Sequence, residues 1–263
     1  MKSYFYKNPN DCSMNWGDII APDIISHFSK STNIQETNEN NDSPKLVSVG
    51  SVMNAVKPND MVWGTGIITP GVIGNAGLAR IFAVRGPKTR DELLKHKIEC
   101  PEIYGDPALL YPQIYTPENI EKTHEWGVIA HYVDKYHPGV IQLQKRGFKV
   151  INILAGKKQF VDQLHRVEKV LSSSLHGLIA ADAYGIPNAR IRFSNKVVGG
   201  DFKFMDYALS VNRNDWRAID GNTDQIQYPG YNSVELSTQI EWDSQKLLDA
   251  APWVHSDYTG LFY

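Results

Sequence analysis

The run LSSSLHGLIAADAYGIP, Leu171 to Pro187, sets three serines, a leucine and a histidine in front of an alanine-rich helical pattern. With a helix beginning near Leu175, Ser174 is the N-cap, and the backbone N–H groups of Leu175, His176 and Gly177 lack intrahelical partners. Those donors face whatever lies before the helix. Ser172 and Ser173 add hydroxyls, Gly177 admits close approach, and His176 adds charge when protonated. This is chemistry suited to a phosphate or a carboxylate. A plain cap with a satisfied structural histidine explains the same residues equally well, and both readings stand.

Other residues are placed to share such a site. Arg85, in FAVRGPKTRDELL, follows an apolar strand pattern and precedes a proline-initiated helix, so its guanidinium is expected at a strand's carboxyl end, where bidentate binding of an oxyanion is favoured. Lys88 and Arg90 beyond it read as a solvated helix face paired with Asp91 or Glu92. In CSMNWGDIIAPDII, Gly17 permits a tight turn, Asn15 or Asp18 can cap the next helix, and the Asp18 carboxylate is also a candidate general base. Gly64 and Gly66, in WGTGI, suggest close backbone approach to a ligand without completing G-x-G-x-x-G. Asp106 and His131 are rival acid–base groups. There is no D-x-D pair, no H-E-x-x-H, no G-x-x-x-x-G-K-[ST] and no G-x-S-x-G, and His131 and His137 are too isolated for zinc. Neither a metal nor a cofactor is expected.

The elements that must carry these residues alternate between strand and helix. KSYFYK, KLVSVG, DMVWGTG and ARIFAVRG read as strands, and GDIIAPDIISHFSK and PKTRDELLKHK as helices. After the polar stretch YPQIYTPENIEKTHE the alternation restarts with WGVIAHYV, HPGVIQLQKRG, FKVINIL, KKQFVDQLHRVEKV, VLSS, LHGLIAADAYG and PNARIRF. The expectation is an α/β chain of two doubly wound, Rossmann-like domains, 1–120 and 121–263, with chemistry in the cleft at the strands' carboxyl ends. Ser29 to Lys45 reads as a mobile loop, and SQKLLDAAP as a last helix.

Composition narrows the partners. The 263 residues are 21% charged with a formal net charge of −2, which excludes the basic excess of a nucleic-acid binder. Two cysteines, Cys12 and Cys100, are too few for a disulfide framework and read as free thiols of a reducing cytosol. With no signal-like or spanning apolar run, a soluble cytoplasmic protein is expected. The aromatic tail APWVHSDYTGLFY suits a peripheral contact at the inner face of a membrane and core packing alike.

Taken in order, NWGD, VWGTG, VRGPKTR, YGDPALL, HYVDK and SSSLHGLIAADAYGIP resemble the polysaccharide pyruvyl transferase family, from about Asn15 to Pro187. The resemblance implies a GT-B-like pair of Rossmann-type domains. It also implies transfer of pyruvate from phosphoenolpyruvate to two hydroxyls of a sugar or lipid-linked oligosaccharide, giving a cyclic ketal in bacterial surface polysaccharide synthesis. In that family an arginine and a leucine–histidine pair preceded by a basic residue line the donor pocket. Arg85, Leu175 and His176 match, whereas Ser174 stands where the basic residue would be. The expected roles are anion binding by Arg85 and the helix N-terminus at Ser174 to Gly177, proton donation or stabilisation of the leaving phosphate by His176, and proton acceptance by Asp18, with Ser173, Asn15, Gly17, Gly64, Gly66, Asp106 and His131 around them. A nucleotide-sugar glycosyltransferase of the same fold, or a non-catalytic glycan- or phosphate-binding module, would use the same donors.

Overall fold

The computed structural model describes residues 1–6, 14–37, 44–221, 236–237 and 239–262. Cys12, residues 38–43 of the Ser29–Lys45 segment and residues 222–235 of the irregular C-terminal stretch lie outside them.

Two parallel sheets form the frame. The first joins β1 (Lys2–Tyr4), β2 (Gln35–Thr37), β3 (Lys45–Val47), β4 (Met61–Trp63) and β5 (Arg80–Ala83) in the order β2-β1-β3-β4-β5. The second joins β6 (His124–Ile129), β7 (Lys149–Val150), β8 (Val167–Ser172), β9 (Asn188–Arg192) and β10 (Ile219–Asp220) in the order β10-β9-β8-β6-β7. Counted from its own first strand, each sheet runs 2-1-3-4-5, so each has a switch point between its first and third strands, β1/β3 and β6/β8. The inner strands β3 and β4 are buried along their whole length, as parallel strands covered on both faces must be. The connecting helices are α1 (Trp16–Ile19), α2 (Ala21–Ser29), α3 (Pro87–Lys95), α4 (Pro138–Lys145), α5 (Lys157–His165), α6 (Leu175–Ala183) and α7 (Phe202–Ser210); α8 (Ser244–Asp249) and α9 (Ser256–Thr259) end the chain.

The α/β alternation expected from the sequence is present, with two departures besides the early end of α5, which stops at His165 so that Val167–Val170 of the expected helix KKQFVDQLHRVEKV belong to β8. Within Ser29 to Lys45, Lys30 ends α2 in the left-handed region (φ 59°), and Gln35–Thr37 then pairs in parallel with β1 instead of forming a mobile loop. Its polar residues suit a sheet edge held by main-chain bonds, which composition does not register. The second departure is α7, where no helix is expected; it packs against α3.

The C-terminal segment returns to the first sheet. Trp63 donates from Nε1 to the Leu247 carbonyl at 2.9 Å, and Trp253 meets Trp63 edge-on at 4.8 Å between ring centres. Phe262 packs on Trp253, and Tyr258 on Phe82. Trp253 and Phe262 are buried, so these two tail aromatics belong to the core. Among the described residues no helix is long and apolar enough to cross a membrane.

Two devices position the site. Trp16 accepts no solvent: its backbone N–H donates to Ile153, its Nε1 to Lys157, and its ring meets Tyr111 and Phe160 at 5.2 Å, which docks α1 onto the second half of the chain. Helix α6 is buried on every side from Leu175 to Asp182. Its one buried carboxylate, Asp182, accepts from Arg213, Tyr207 and Asn188 at 2.6–2.7 Å, tying α6 to β9 and α7.

Candidate functional site

A cavity of about 350 Å³ lies where both switch points open. Tyr6 and Asp18 after β1 and Ser51 after β3 line it from the first half; His131 after β6 and Ser174 to His176 after β8 line it from the second. Asn15, Lys196 and Lys203 complete its polar wall.

Asn15 is the N-cap of α1, its side chain accepting from the Gly17 N–H at 3.1 Å, which leaves Asp18 free of capping. Burial pushes the Asp18 carboxyl up to about 7, opposed by the positive charge of Lys203 and reinforced by Asp106. Asp18 therefore exchanges its proton near neutral pH. Gly17 faces the imidazole of His176: a β-carbon there would sit 2.1 Å from the ring's Cγ and Nδ1. The ring's other edge and the Asp18 carboxylate converge on Gly50 (φ +100°), where a β-carbon would lie 3.6 Å from His176 Cε1 and 3.9 Å from Asp18 Oδ1. Two glycines thus let an imidazole from one half and a carboxylate from the other share one small space.

His176 is only 7% exposed, and its Nε2 has no hydrogen-bond partner. Burial, with the positive charges of Arg85 and Lys203, pulls its pKa down to about 3, so the imidazole is neutral at pH 7. His131 is likewise pulled to about 3 by burial and then by Lys203. Proton donation by a standing imidazolium, expected from the sequence, is therefore not available before a ligand binds.

Ser174 is the N-cap of α6, as expected, but its hydroxyl makes no capping bond, so the helix's leading N–H groups remain available toward the cavity. The other serines are turned to structure. Ser172 Oγ accepts from the Ser174 N–H at 3.1 Å and donates to main-chain carbonyls, and Ser173 Oγ accepts from the His131 N–H at 2.9 Å. Gly177 faces inward, where a β-carbon would meet Ser172 Oγ at 2.3 Å; its smallness serves helix–strand packing, not ligand approach.

Several expected contacts lie behind the wall. Arg85 is fully buried: its Nε donates to Asp206 at 2.9 Å, Nη2 to the Ile67 carbonyl at 3.1 Å and Nη1 to Ser51 Oγ. It does not line the cavity itself but reaches its wall through Ser51, and a guanidinium sealed in this core needs its carboxylate partner. Gly66 makes room for that guanidinium, whose Cζ would be 2.4 Å from a β-carbon, and Gly64 (φ +91°) makes room for Pro107. Asp106 caps the turn Pro107–Gln113 by accepting from the Ala108 N–H at 3.0 Å, and burial raises its pKa to about 6. Arg190 and Arg192 line a neighbouring cavity of about 310 Å³ with Ser173, and Arg190 is paired with Asp201 at 2.6 Å. Cys100 is a free buried thiol pushed up to about 12 by burial, which makes it unreactive. Among the described residues no group of three or more His, Cys, Asp or Glu could hold a metal ion.

Sequence reasoning missed Lys203. Its signal was local, an Asp201 followed by the helical apolar pattern FKFMDYAL, but nothing in spacing places that lysine beside a histidine 27 positions earlier.

Residues 74–195 match the model of the family described as polysaccharide pyruvyl transferase, the same family that the motifs resemble. An uncharacterized protein of Acanthamoeba polyphaga mimivirus is 29% identical over 221 residues, covering 79% of this chain and 77% of that protein. No solved structure matches the chain.

Proposed function

On the premise of the family match over residues 74–195, we propose that the chain transfers pyruvate from phosphoenolpyruvate to two hydroxyls of a polysaccharide-type acceptor. The observation that supports this is the meeting, around one cavity, of the α6 N-terminus, the His176 side chain, whose buried Nε2 has no partner, and a carboxyl that titrates near neutrality. Phosphoenolpyruvate brings a phosphate and a carboxylate, and its methylene carbon must gain a proton before C2 becomes electrophilic. One acceptor hydroxyl adds at C2, phosphate leaves, and the second hydroxyl closes the ketal. One hydroxyl proton ends in the new methyl group and the other on phosphate.

In this reading the α6 N-terminus and Leu175–His176, in the half from 121 to 263, hold the donor's oxyanions. Asp18, from the 1–120 half, takes the acceptor's hydroxyl proton, and the GT-B-like arrangement brings the two together across the cleft. Neutral His176 offers Nε2 to the donor and gains its proton only with the anion, so its acid role begins after binding. Arg85 holds Ser51 in place.

The test is incubation with phosphoenolpyruvate and a panel of glycans, following inorganic phosphate and a new ketal methyl resonance. Phosphate release together with that resonance is the expected result. No release with any acceptor, or release of a nucleoside diphosphate from a nucleotide sugar instead, would overturn it.

A further inference from the structure

Five cationic side chains are buried in the described residues: Lys45, Arg85, Arg190, Lys203 and Arg213. Four have a carboxylate close by, Asp60 at 2.6 Å, Asp206 at 2.9 Å, Asp201 at 2.6 Å and Asp182 at 2.6 Å respectively. Lys203, 6% exposed, has no ion pair and no hydrogen-bond partner among the described residues; the Phe204 ring lies 5.6 Å from Nζ. A buried ammonium without a partner is strongly unfavourable, and a ring at that distance compensates only a fraction of the cost. Yet this one lines the cavity that the α6 N-terminus and His176 also line.

We propose that Lys203 is the fixed positive charge of an oxyanion site whose remaining donors are the α6 N-terminus and His176. The identity of the ligand, phosphoenolpyruvate, rests on the reading above; the oxyanion site does not. Three features agree with it. Asp18 is the one carboxylate lining the cavity, it is not within ion-pair distance of Lys203, and near neutral pH it is protonated about half the time. Burial, with Arg85 and Arg190 nearby, lowers the Lys203 pKa only to about 8, so the ammonium persists at pH 7. The other buried cations nearby are committed, Arg85 to Asp206 and Arg190 to Asp201 and the Trp216 carbonyl, while Lys196, the second lysine lining the cavity, is exposed to solvent.

The experiment titrates inorganic phosphate, pyruvate and phosphoenolpyruvate separately into the wild-type chain, Lys203→Met and Lys203→Arg by calorimetry at pH 7. Loss of one charge-assisted contact predicts that Lys203→Met weakens oxyanion binding about ten- to a hundredfold, with Lys203→Arg recovering most of it. Without anion, Lys203→Met should melt at or above the wild-type temperature, because it removes an unpaired buried charge; Lys203→Gln serves if the methionine variant does not fold. Loss confined to phosphate assigns Lys203 to the donor's phosphate, and loss confined to pyruvate assigns it to the carboxylate. Unchanged affinity of Lys203→Met for all three anions, or no affinity of the wild type for any, would overturn the inference. A Lys203-dependent phosphate site in a protein that releases no phosphate from phosphoenolpyruvate leaves this inference standing and removes the transfer reading. Normal turnover by Lys203→Met does the reverse.

Discussion

At the scale of single residues, the site depends on where protons sit and how little room there is. Asp18 has its carboxyl raised to about 7 by burial, so the base form gains population as pH rises. With Asp18 as the base, kcat/KM should climb with pH through about 7, and Asp18→Asn should lower kcat by about 10²–10⁴ and abolish that limb. A limb that survives the substitution would remove Asp18 from the role. Gly17→Ala places a methyl 2.1 Å from the His176 ring, whose other edge is already against Gly50. Overpacking of this kind costs about 1–3 kcal/mol, read as a lower denaturation midpoint together with weaker phosphoenolpyruvate binding. Unchanged midpoint and affinity would show that the imidazole does not rest on Gly17.

At the scale of elements, α3 and α7 are joined by a polar clasp. Asp206 on α7 accepts from Arg85 at 2.9 Å, from the Thr89 N–H at 2.8 Å and from Thr89 Oγ1 at 2.8 Å. Asp206→Ala strands a buried guanidinium and should cost about 3–5 kcal/mol in urea unfolding, while Asp206→Asn retains part of the loss. A cost below about 1 kcal/mol would mean that water replaces the carboxylate. The clasp also explains what the sequence could show. Helix α6 was legible because its signals are local: a serine cap, an apolar run and Gly185 beyond its end. Strands β3, β4 and β5 were legible as short apolar runs. Helix α7 was not, because its purpose lies in partners more than a hundred positions away, Arg85 and Thr89. Strand β2 was hidden for the same reason, since its stability comes from β1. The site followed suit: Asn15, Asp18, Ser174 and His176 could be found from strand-end and cap logic, whereas the burial of Arg85 and the arrival of Lys203 are products of long-range packing.

At the scale of the whole molecule, the cavity's titrations oppose one another. His131 and His176 are held near 3 in the fold against 6.5 in the unfolded chain, so stability is lost as pH falls from about 6.5 toward 3. Asp18 and Asp106 are raised to about 7 and about 6 against 3.8, so their contribution is fully present below 3.8 and lost as pH rises through those folded values. Over pH 4–6 two groups of each kind act in opposite senses. The expected outcome is a nearly flat dependence of unfolding free energy on pH in that window from these four groups, and a new acid-side decline in Asp18→Asn. An equally flat profile for the variant would mean that the Asp18 carboxyl is not raised in the fold.

The unpartnered Nε2 of His176 has a calorimetric consequence. An anion settling beside a neutral imidazole and a half-protonated carboxyl makes both better bases, so the complex draws protons from the surrounding buffer. The heat of binding measured at pH 7 should therefore differ between phosphate-free buffers of high and low ionisation enthalpy, by an amount proportional to the protons taken up. Apparent affinity should tighten as the solution is made more acid toward pH 6.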